Sequence, residues 1–336
     1  MLRQLATQVL PPGWRLGLGA ARARLESRAL GLPVIGRSLR RKRFRALESI
    51  PTQLNIEVTS ICNAQCIMCP RHEMDRPMEL MPFDLFRKVV DDGARLGVKR
   101  YALNGYGELF TARKDYRTYV NYVADNVPGA RIIINSNGSL LDEEAARFLI
   151  DKKVDSLNVD IDGATKETFE KVRLNLRYDV VVKNVKRLLE LRKELGSKLP
   201  KVRVGMIRQP ANEHEVDQFL AQWRGVADFV SEGLMVNRGG SIAVDHAPDV
   251  DRPCWLIWSE FDVWSNGDVV LCCDDWNCAE VMGSLKTQTI REVWQGEKFR
   301  RYRELHRKGR GGEISLCGQC SYARHGPAWF QKHVRA

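Results

Sequence analysis

Apolar residues are spaced in two different ways along the chain from residue 53 onward. Short runs rich in β-branched residues have the composition of buried strands, and the longer stretches between them repeat apolar residues at helical spacing. In residues 82–97, for example, Phe83, Phe86 and Val90 share one helical face. The pattern predicts six strands, at residues 53–58, 99–104, 130–135, 155–161, 201–207 and 227–233.

Six strand–helix units in succession require parallel strands joined by right-handed crossovers. The sequence therefore predicts an α/β fold, and the pattern alone allows either a barrel-like sheet or a doubly wound one. Both arrangements gather ligands outside the carboxyl ends of the strands. We expect the functional residues to lie there.

The alternation stops after residue 237, and the chain changes character. Residues 251–278 are typical of a β-hairpin that turns at residues 265–268, SNGD, and a helix is predicted over residues 289–305. The sequence thus predicts three parts: an N-terminal arm, an α/β core and a C-terminal unit. Their expected bounds are 1–52, 53–237 and 238–336.

The net charge of +11 is concentrated in the N-terminal arm. Residues 1–50 hold eleven Lys and Arg against Glu26 and Glu48, which gives +9, so the other 286 residues carry 11 − 9 = +2. A folded basic face for nucleic acid is therefore not expected. The arm suits peripheral contact with an anionic membrane, at about 1 kcal/mol per basic residue. A helix packed on the core and an organelle transit peptide are the alternatives.

No run of eighteen apolar residues and no secretory signal is evident in the sequence. A cytoplasmic location is therefore expected, with peripheral contact at the inner membrane face as an option. In a reducing compartment, cysteines are more often metal ligands or catalysts than disulfide partners.

Three of the nine cysteines, Cys62, Cys66 and Cys69, lie together directly after the first strand. Three clustered thiolates suit either a zinc ion or an iron–sulfur cluster. A structural zinc site needs a fourth protein ligand, for which His72 is close enough in sequence. A cluster with an open position suits a ligand-binding edge, and spacing alone leaves both interpretations open.

Glycine-containing polar segments follow the next three predicted strands. They are NGYGE at residues 104–108, NSNG at 135–138 and DIDG at 160–163. Glycine lets a backbone approach a ligand closely, and Asn and Asp side chains supply hydrogen-bond partners. Their common position at strand ends predicts one binding site.

A second set of four cysteines belongs to the C-terminal unit. Cys254 and Cys272 flank the predicted hairpin, and Cys317 and Cys320 form a C-x-x-C pair. Cys273 and Cys278 remain outside both sets, and buried small apolar residues are their simplest interpretation.

The spacing C-x-x-x-C-x-x-C after a first strand, followed by GYGE, NSNG and DIDG, resembles the radical S-adenosylmethionine (SAM) superfamily. The resemblance implies a partial (β/α)6 TIM-like barrel in which Cys62, Cys66 and Cys69 hold a [4Fe-4S] cluster and SAM occupies the fourth iron. Glu108 would receive the amino group of SAM and Arg173 its carboxylate. The implied SAM-binding residues are Gly105, Gly107, Glu108, Asn135, Ser136, Asn137, Asp160, Asp162 and Arg173.

The C-terminal set resembles the SPASM or twitch extension of that superfamily. The resemblance implies one auxiliary [4Fe-4S] cluster held by Cys254, Cys272, Cys317 and Cys320, whose spacing also resembles that of radical SAM aminocyclitol dehydrogenases. A cluster with four protein ligands has no open iron, so electron transfer is its expected role.

The resemblance implies an oxidoreductase in which a deoxyadenosyl radical abstracts hydrogen from a hydroxyl-bearing carbon of a sugar or cyclitol. The auxiliary cluster would take the second electron, and Asp274 or Asp275 would take the hydroxyl proton, although a turn or a salt bridge also explains these carboxylates. Flavodoxin or ferredoxin is the expected electron donor. Residues expected to select the substrate are Met206, Arg208, Asn237 and Arg238.

Three alternatives stay open from the sequence. Cys273 or Cys278 could donate hydrogen to a substrate radical, which would make the protein an epimerase. The substrate could be a peptide, as in maturases of the superfamily. A zinc-bound interaction protein is the non-enzymatic alternative, but it leaves the three strand-end segments unexplained.

Overall fold

The computed structural model describes residues 35–113, 115–244, 253–321 and 326–334. Most of the predicted basic arm, residues 1–34, lies outside the described residues, and so do the proposed membrane contacts of that part. The helices are α1 (Ile35–Ser49), α2 (Phe83–Leu96), α3 (Asp115–Asn126), α4 (Glu143–Asp151), α5 (Lys166–Val172), α6 (Tyr178–Glu194), α7 (Val216–Trp223), α8 (Leu256–Ser259), α9 (Ile290–Trp294), α10 (Glu297–Arg307), α11 (Ser315–Gln319) and α12 (Ala328–His333).

The strands follow the predicted alternation in the first two thirds of the chain. They are β1 (Gln53–Ile56), β2 (Gln65–Cys66), β3 (Arg100–Leu103), β4 (Arg131–Ser136), β5 (Ser156–Asp160), β6 (Arg173–Leu174), β7 (Lys201–Arg208), β8 (Phe229–Leu234), β9 (Glu260–Val263), β10 (Asp268–Val270) and β11 (Val281–Ser284). Short 3₁₀ turns occupy Pro70–Glu73, Leu109–Ala112, Glu213–Glu215 and Gly311–Glu313.

The main sheet has the strand order β11-β10-β9-β1-β3-β4-β5-β7-β8. From β1 to β8 every neighbouring pair is parallel and each new strand adds to the same edge. In a doubly wound sheet, the direction in which successive strands are added reverses at a switch point. In a barrel-type sheet, successive strands are added in one direction throughout. The α/β fold and the partial TIM-like barrel are confirmed.

The two faces of the sheet differ in chemistry. Leu54 and Ile56 of β1 are fully buried, and Leu54 lies against Gly93 of α2. Asn55 therefore points to the opposite face, because side chains alternate along a strand. The predicted apolar face of α2 is also buried, with Phe86 in an edge contact with Tyr119 at 4.9 Å between ring centroids.

The predicted C-terminal hairpin is confirmed, with an addition that the sequence did not indicate. Strands β9 and β10 pair in antiparallel fashion around Gly267, which has a φ of 86°. Strand β9 also pairs in parallel with β1, from Gln53↔Glu260 to Ile56↔Val263. The hairpin thus extends the barrel sheet, and the division of the chain at residue 237 stays a prediction.

The single helix predicted over residues 289–305 is wrong, because the structure divides it into α9 and α10. Thr289 begins α9 with a capping box to Glu292. The break falls at Gly296, which has an extended ψ of 164°. A Cβ atom there would lie 2.9 Å from the carbonyl oxygen of Glu292, so the tight turn between the helices needs glycine.

Helix α1 packs against the C-terminal unit. Leu47 is buried, and its carbonyl oxygen accepts a hydrogen bond from the indole of Trp294 at 3.0 Å. Glu48 pairs with Arg307. The last part of the predicted arm is therefore a packed helix, and none of the described helices has the length and apolar character of a membrane span.

We expect Leu157→Ala, on β5, to lower the free energy of unfolding by about 2–5 kcal/mol, because Leu157 is fully buried. Leu195→Ala is the matched control, since Leu195 is 48% exposed and its truncation should change stability by less than about 0.5 kcal/mol. Urea denaturation measures both, and equal losses would contradict the assigned core.

Candidate active site

The first cysteine set lies on the loop between β1 and α2. Strand β2 of this loop pairs with β6, so that Cys66 is the register partner of Arg173. The amide of Ile67 also donates to the carbonyl of Val172 at 3.0 Å, and the amide of Cys69 donates to the carbonyl of Cys66. These bonds fix the loop against the chain that follows β5.

Burial favours the protonated form of the Cys62 and Cys66 thiols. It raises the pKa of Cys62, and it raises the pKa of Cys66 to about 11 even though the charge of Arg173 opposes this shift. The thiols also interact electrostatically with one another, and Cys69 raises the pKa of both neighbours. A bound cationic centre would reverse this balance, since metal coordination deprotonates a thiol.

The donor set of this loop suits an iron–sulfur cluster with an open position. His72, the candidate fourth ligand for zinc, is largely exposed and lies 3.6 Å from Glu73. Within the described ranges, no group of three or more His, Cys, Asp and Glu side chains is placed to hold a metal ion. The fit to a cluster therefore rests on three partly buried cysteines in one loop and on their chemistry.

Glu108 joins two of the predicted segments. Its buried carboxylate accepts hydrogen bonds from the amide of Asn137 at 2.6 Å, from the hydroxyl of Ser136 at 3.0 Å and from the amide of Phe110 at 3.3 Å. Burial raises the pKa of Glu108, and these donors act in the opposite direction. Glu108 thus holds the GYGE segment against the NSNG segment.

The NSNG segment in turn contacts the cysteine loop. The amide group of Asn137 donates to Asn63 at 2.9 Å and lies 3.9 Å from the sulfur of Cys62. Asn63 donates to the hydroxyl of Ser139 at 2.9 Å. Asn135 instead accepts a hydrogen bond from Asn158 of the neighbouring strand.

The glycines of GYGE allow two loops to pack backbone against backbone. A Cβ atom on Gly107 would collide with the carbonyl oxygen of Thr59, and one on Gly105 would lie 2.5 Å from the side chain of Glu57. The amide of Glu108 donates to the carbonyl of Ile61 at 2.9 Å. These glycines therefore bring the GYGE segment onto the start of the cysteine loop.

Asp162 and Arg173 form a buried ion pair. Arg173 Nε donates to Asp162 Oδ2 at 2.8 Å, and its Nη2 lies 2.7 Å from the same oxygen. Asp162 Oδ1 accepts from the amide of Ile207 at 2.6 Å. Burial raises the pKa of Asp162 and Arg173 lowers it. Asp160 pairs instead with Arg203 at 3.2 Å. Arg173 thus connects β6, and through it Cys66, to the end of β5.

Glu57 is a central site residue that the sequence analysis missed. It is fully buried and accepts two hydrogen bonds from Arg76, at 2.5 and 2.8 Å. It also accepts from the amide of Tyr106 at 2.9 Å and from Ser265. A signal existed, because Gln53, Asn55 and Glu57 alternate with apolar residues in a predicted buried strand.

Tyr106, also missed, connects the two cysteine regions. Its hydroxyl donates to the carbonyl of Cys273 at 2.8 Å, and its ring lies edge-on to Trp264 at 5.8 Å. Burial raises its pKa far above the ordinary value, and Cys69 and Cys273 add to this shift. Tyr106 therefore lies between the first cysteine loop and the C-terminal unit.

The four C-terminal cysteines interact as one group. The thiol of Cys272 interacts electrostatically with Cys254 and Cys317, and Cys317 interacts with Cys254 and Cys320. Burial raises the pKa of both Cys272 and Cys317 well above the ordinary value. These electrostatic pairs link the four residues that the sequence assigned to the second set, and their donor type suits an iron–sulfur centre, but among the described residues no three are already placed to hold a metal ion.

Asp274 and Asp275, the two candidate proton acceptors, already have hydrogen-bond partners. Asp274 accepts a hydrogen bond from Arg238 at 2.7 Å. Asp275 accepts from the amides of Ala279 and Glu280 at 2.7 and 2.9 Å, and burial raises its pKa. The salt-bridge and turn interpretations of these carboxylates therefore match the geometry.

The remaining cysteines lie on either side of that turn. Burial and the nearby Asp274 raise the pKa of Cys273 well above the ordinary value. Cys278 has a φ of 60°, and burial raises its pKa to about 12 although Arg76 opposes the shift. Both side chains are therefore thiols at neutral pH, the form that a hydrogen-atom donor requires.

The candidate substrate-selecting residues lie in different environments. Arg238 faces Tyr106 and Asp274, and its guanidinium lies 5.9 Å from the tyrosine ring centroid. Asn237 bonds to Ser321 and Gln319 beside the C-x-x-C pair. Met206 is buried, and Arg208 lies 3.8 Å from Glu232. Of these four, Arg238 lies at the junction of barrel and C-terminal unit.

Two family profiles match this chain. The profile described as the radical SAM superfamily matches residues 56–220, and the profile described as an iron–sulfur cluster-binding domain, SPASM, matches residues 254–321. The chain belongs to the radical SAM superfamily and carries a C-terminal SPASM domain. It is therefore a radical SAM oxidoreductase, with SAM, a SAM-binding [4Fe-4S] cluster and auxiliary iron–sulfur binding as its implied cofactors.

Relatives with known names have different substrates. The S-adenosyl-L-methionine-dependent 2-deoxy-scyllo-inosamine dehydrogenase of Niallia circulans is 23% identical, over 82% of this chain and 94% of the relative. The mycofactocin maturase MftC of Mycolicibacterium smegmatis is 28% identical, over 67% of this chain and 54% of the relative.

Solved structures show the same fold. The structure of BtrN in complex with AdoMet and 2-DOIA has a TM-score of 0.57 at 22% identity, and the match covers 82% of this chain and 97% of that chain. Streptococcus suis SuiB bound to the precursor peptide SuiA has a TM-score of 0.60 at 14% identity, with 86% and 75% covered.

We expect Gly107→Ala to lower stability by about 1–3 kcal/mol, because the new methyl group meets the backbone of Thr59. The iron content of the Gly107→Ala protein after anaerobic reconstitution should also fall. Gly233→Ala is the control, since a Cβ atom at Gly233 meets nothing within 4 Å. Thermal midpoints and iron analysis test the pair, and a Gly107→Ala protein that matches wild type would contradict the close loop packing.

Arg173→Met should cost about 3–5 kcal/mol, because it leaves the buried Asp162 without its partner. The double variant Asp162→Asn/Arg173→Met should recover part of this loss, since no buried charge then remains at the pair. Urea unfolding of the two variants measures the difference. Equal losses would show that the ion pair does not account for the effect.

Proposed function

We propose that this protein dehydrogenates a hydroxyl-bearing carbon of a sugar-like or cyclitol-like small molecule. The observation that carries the proposal is the interacting group of four C-terminal cysteines at a hairpin that extends the barrel sheet. Four sulfur ligands leave a cluster no open iron, so the group suits an electron acceptor better than a substrate ligand. The named dehydrogenase relative, which aligns along nearly its whole length, supports the same reaction class.

The proposal assigns cofactor roles to the residues that the sequence singled out. Cys62, Cys66 and Cys69 would hold the SAM-binding cluster, which supplies the electron for SAM cleavage when it is bound. Cys254, Cys272, Cys317 and Cys320 would hold the auxiliary cluster. The polar groups of GYGE, NSNG and DIDG and Arg173 would line SAM, with Glu108 and Asp162 keeping these segments in place.

The junction of barrel and C-terminal unit is the proposed substrate position. Arg238, Tyr106 and Asp274 meet there, beside the carbonyl of Cys273. A charged, hydrogen-bonding junction suits a polyol, because a site built to hydrogen-bond hydroxyl groups discriminates strongly against substrates that lack them. An acidic redox protein of the flavodoxin or ferredoxin type is the proposed electron donor, and residues 1–50 are the proposed membrane-contact segment.

Two other reactions keep specific support. A hydrogen-donating thiol for epimerisation would be Cys273, which is partly buried, has a raised pKa and accepts the Tyr106 hydroxyl at its backbone carbonyl. Peptide modification is supported by the maturase relative and by the likeness to a peptide-bound structure. One experiment distinguishes these two reactions from dehydrogenation, because the three products, a modified peptide, an inverted alcohol and a ketone, differ.

The deciding experiment incubates anaerobically reconstituted, dithionite-reduced protein with SAM and a panel of cyclitols, aminocyclitols and sugars that carry deuterium on carbon. Deuterium transfer into deoxyadenosine together with a ketone product supports dehydrogenation. Inverted alcohol with solvent hydrogen would support epimerisation. No deuterium transfer from any polyol, with turnover of a peptide panel, would overturn the proposal.

A Cys272→Ala/Cys317→Ala variant should lower the iron content from about eight to about four per chain, because one of two four-iron clusters is lost. We expect deuterium transfer to continue and ketone formation to stop, since the second electron then has no acceptor. Cys278→Ala, outside both sets, is the matched control. Full ketone yield from the double variant would contradict the assigned electron acceptor.

A further inference from the structure

A row of polar side chains lies on the sheet face that points away from the helices. Asn55 of β1 is the register partner of Asp262 on β9, and both are almost fully buried. Their strand neighbours Leu54 and Phe261 belong to the apolar core on the opposite face. The row thus lies inside the barrel, below the level of Glu57 at the carboxyl end of β1.

One amide group connects two carboxylates in this row. The Nδ2 atom of Asn55 donates to Asp262 Oδ1 at 2.8 Å and to Glu260 Oε2 at 2.7 Å. Glu260 is one layer closer to the amino end of the barrel, where it is the register partner of Gln53, and it is partly exposed. A buried acid is therefore linked through one side chain to an acid that reaches solvent.

The second oxygen of Asp262 lacks a partner. Oδ2 is buried and has no hydrogen-bond partner among the described residues. An unsatisfied buried acceptor costs about 1–3 kcal/mol, and the cost is larger when the group is charged. The fold retains this atom in the barrel interior without a hydrogen-bond partner among the described residues.

The surroundings of Asp262 make it a stronger base than an ordinary carboxylate. Burial raises its pKa well above the usual value, and the charges of Glu260, Asp274 and Asp275 raise it further, whereas Asn55 acts in the opposite direction. Asp262 also interacts electrostatically with Cys273, the residue whose carbonyl accepts the Tyr106 hydroxyl. Asp262 is also the register partner of Val270, three residues before Cys273, so it lies near the turn that carries the proposed substrate-contacting residues.

The two carboxylates named from the sequence are less suited to take a proton. Asp274 Oδ1 accepts a hydrogen bond from Arg238 at 2.7 Å, and both oxygens of Asp275 accept backbone hydrogen bonds. Asp262 has an unoccupied oxygen and a neighbouring carboxylate.

We propose that Asp262 accepts the hydroxyl proton released during the oxidation, while Asn55 holds its other carboxylate oxygen in place by a hydrogen bond. The inference rests on the proposed dehydrogenation. In that reaction the deoxyadenosyl radical takes one hydrogen atom from the substrate carbon, and the remaining radical loses its O–H proton to Asp262. One electron passes to the iron–sulfur acceptor, and the carbon–oxygen bond becomes the double bond of a ketone.

The test compares two products of the same reaction, because proton loss follows hydrogen abstraction. With carbon-deuterated substrate, Asp262→Asn should lower the yield of ketone per deuterated deoxyadenosine by about 100-fold. Deuterium transfer itself should stay within about twofold of wild type, because the radical that abstracts hydrogen is unaffected. The iron content and thermal midpoint of Asp262→Asn should also match wild type. If Asp262 had only a structural role, its loss would change these two quantities as well.

Two further variants keep the test decisive if Asp262→Asn folds poorly. Glu260→Gln keeps an acceptor for Asn55 and removes the neighbouring charge, so it should lower the ketone ratio less strongly and leave deuterium transfer unchanged. Asp155→Asn, in a partly exposed pair with Arg131 at the amino ends of the strands, is the matched control and should resemble wild type.

If the yield of ketone per deuterated deoxyadenosine is unchanged in both Asp262→Asn and Glu260→Gln, the inference is overturned. The dehydrogenase proposal is not affected by that result. An unchanged yield would indicate that a buried water satisfies Asp262 and that the row is structural. If wild-type protein forms no ketone from any polyol, the proposed function itself fails, which is a separate result.

Discussion

The geometry of the site depends on the buried carboxylate of Glu57. This side chain at the end of β1 binds Arg76 from the cysteine loop region, the amide of Tyr106 after β3, and Ser265 from the C-terminal hairpin. A charge that is fully buried needs such partners, because its lost hydration must be replaced by hydrogen bonds and an opposite charge. One carboxylate therefore fixes three segments that approach the barrel mouth from different parts of the chain.

Arg76 transmits this constraint to the C-terminal unit. It donates to the carbonyl of Trp276 at 2.8 Å, and its guanidinium lies 5.2 Å from the ring centroid of Trp264. Trp264 in turn packs on Tyr106 and donates to the carbonyl of Asp275. The turn that carries Asp274 and Asp275, directly after Cys272 and Cys273, is thereby positioned relative to the first cysteine loop. Two cofactor regions far apart in sequence are thus parts of one packed polar assembly.

Sheet continuity supports the same arrangement at the level of the backbone. Pairing of β9 with β1 places the first strand of the barrel in the middle of a nine-stranded sheet rather than at its edge. Edge strands expose unpaired backbone groups, so the hairpin satisfies one edge of an incomplete barrel while it delivers its cysteines. The same pairing brings Asn55 into contact with Asp262 and Glu260, 207 and 205 residues away.

The sequence by itself determined the six parallel strands, the two cysteine sets and the strand-end segments, because hydrophobic periodicity and ligand spacing are local properties of the chain. The resemblance to the superfamily added the prediction that Glu108, Asp162 and Arg173 are site residues. Only the tertiary structure decided that the sheet adds strands in one direction, that β9 extends it, and that the helix over residues 289–305 is broken at Gly296. The importance of Glu57, Tyr106 and Asp262 likewise arose from partners distant in sequence. A buried polar residue is defined by what faces it, and spacing along the chain does not contain that information.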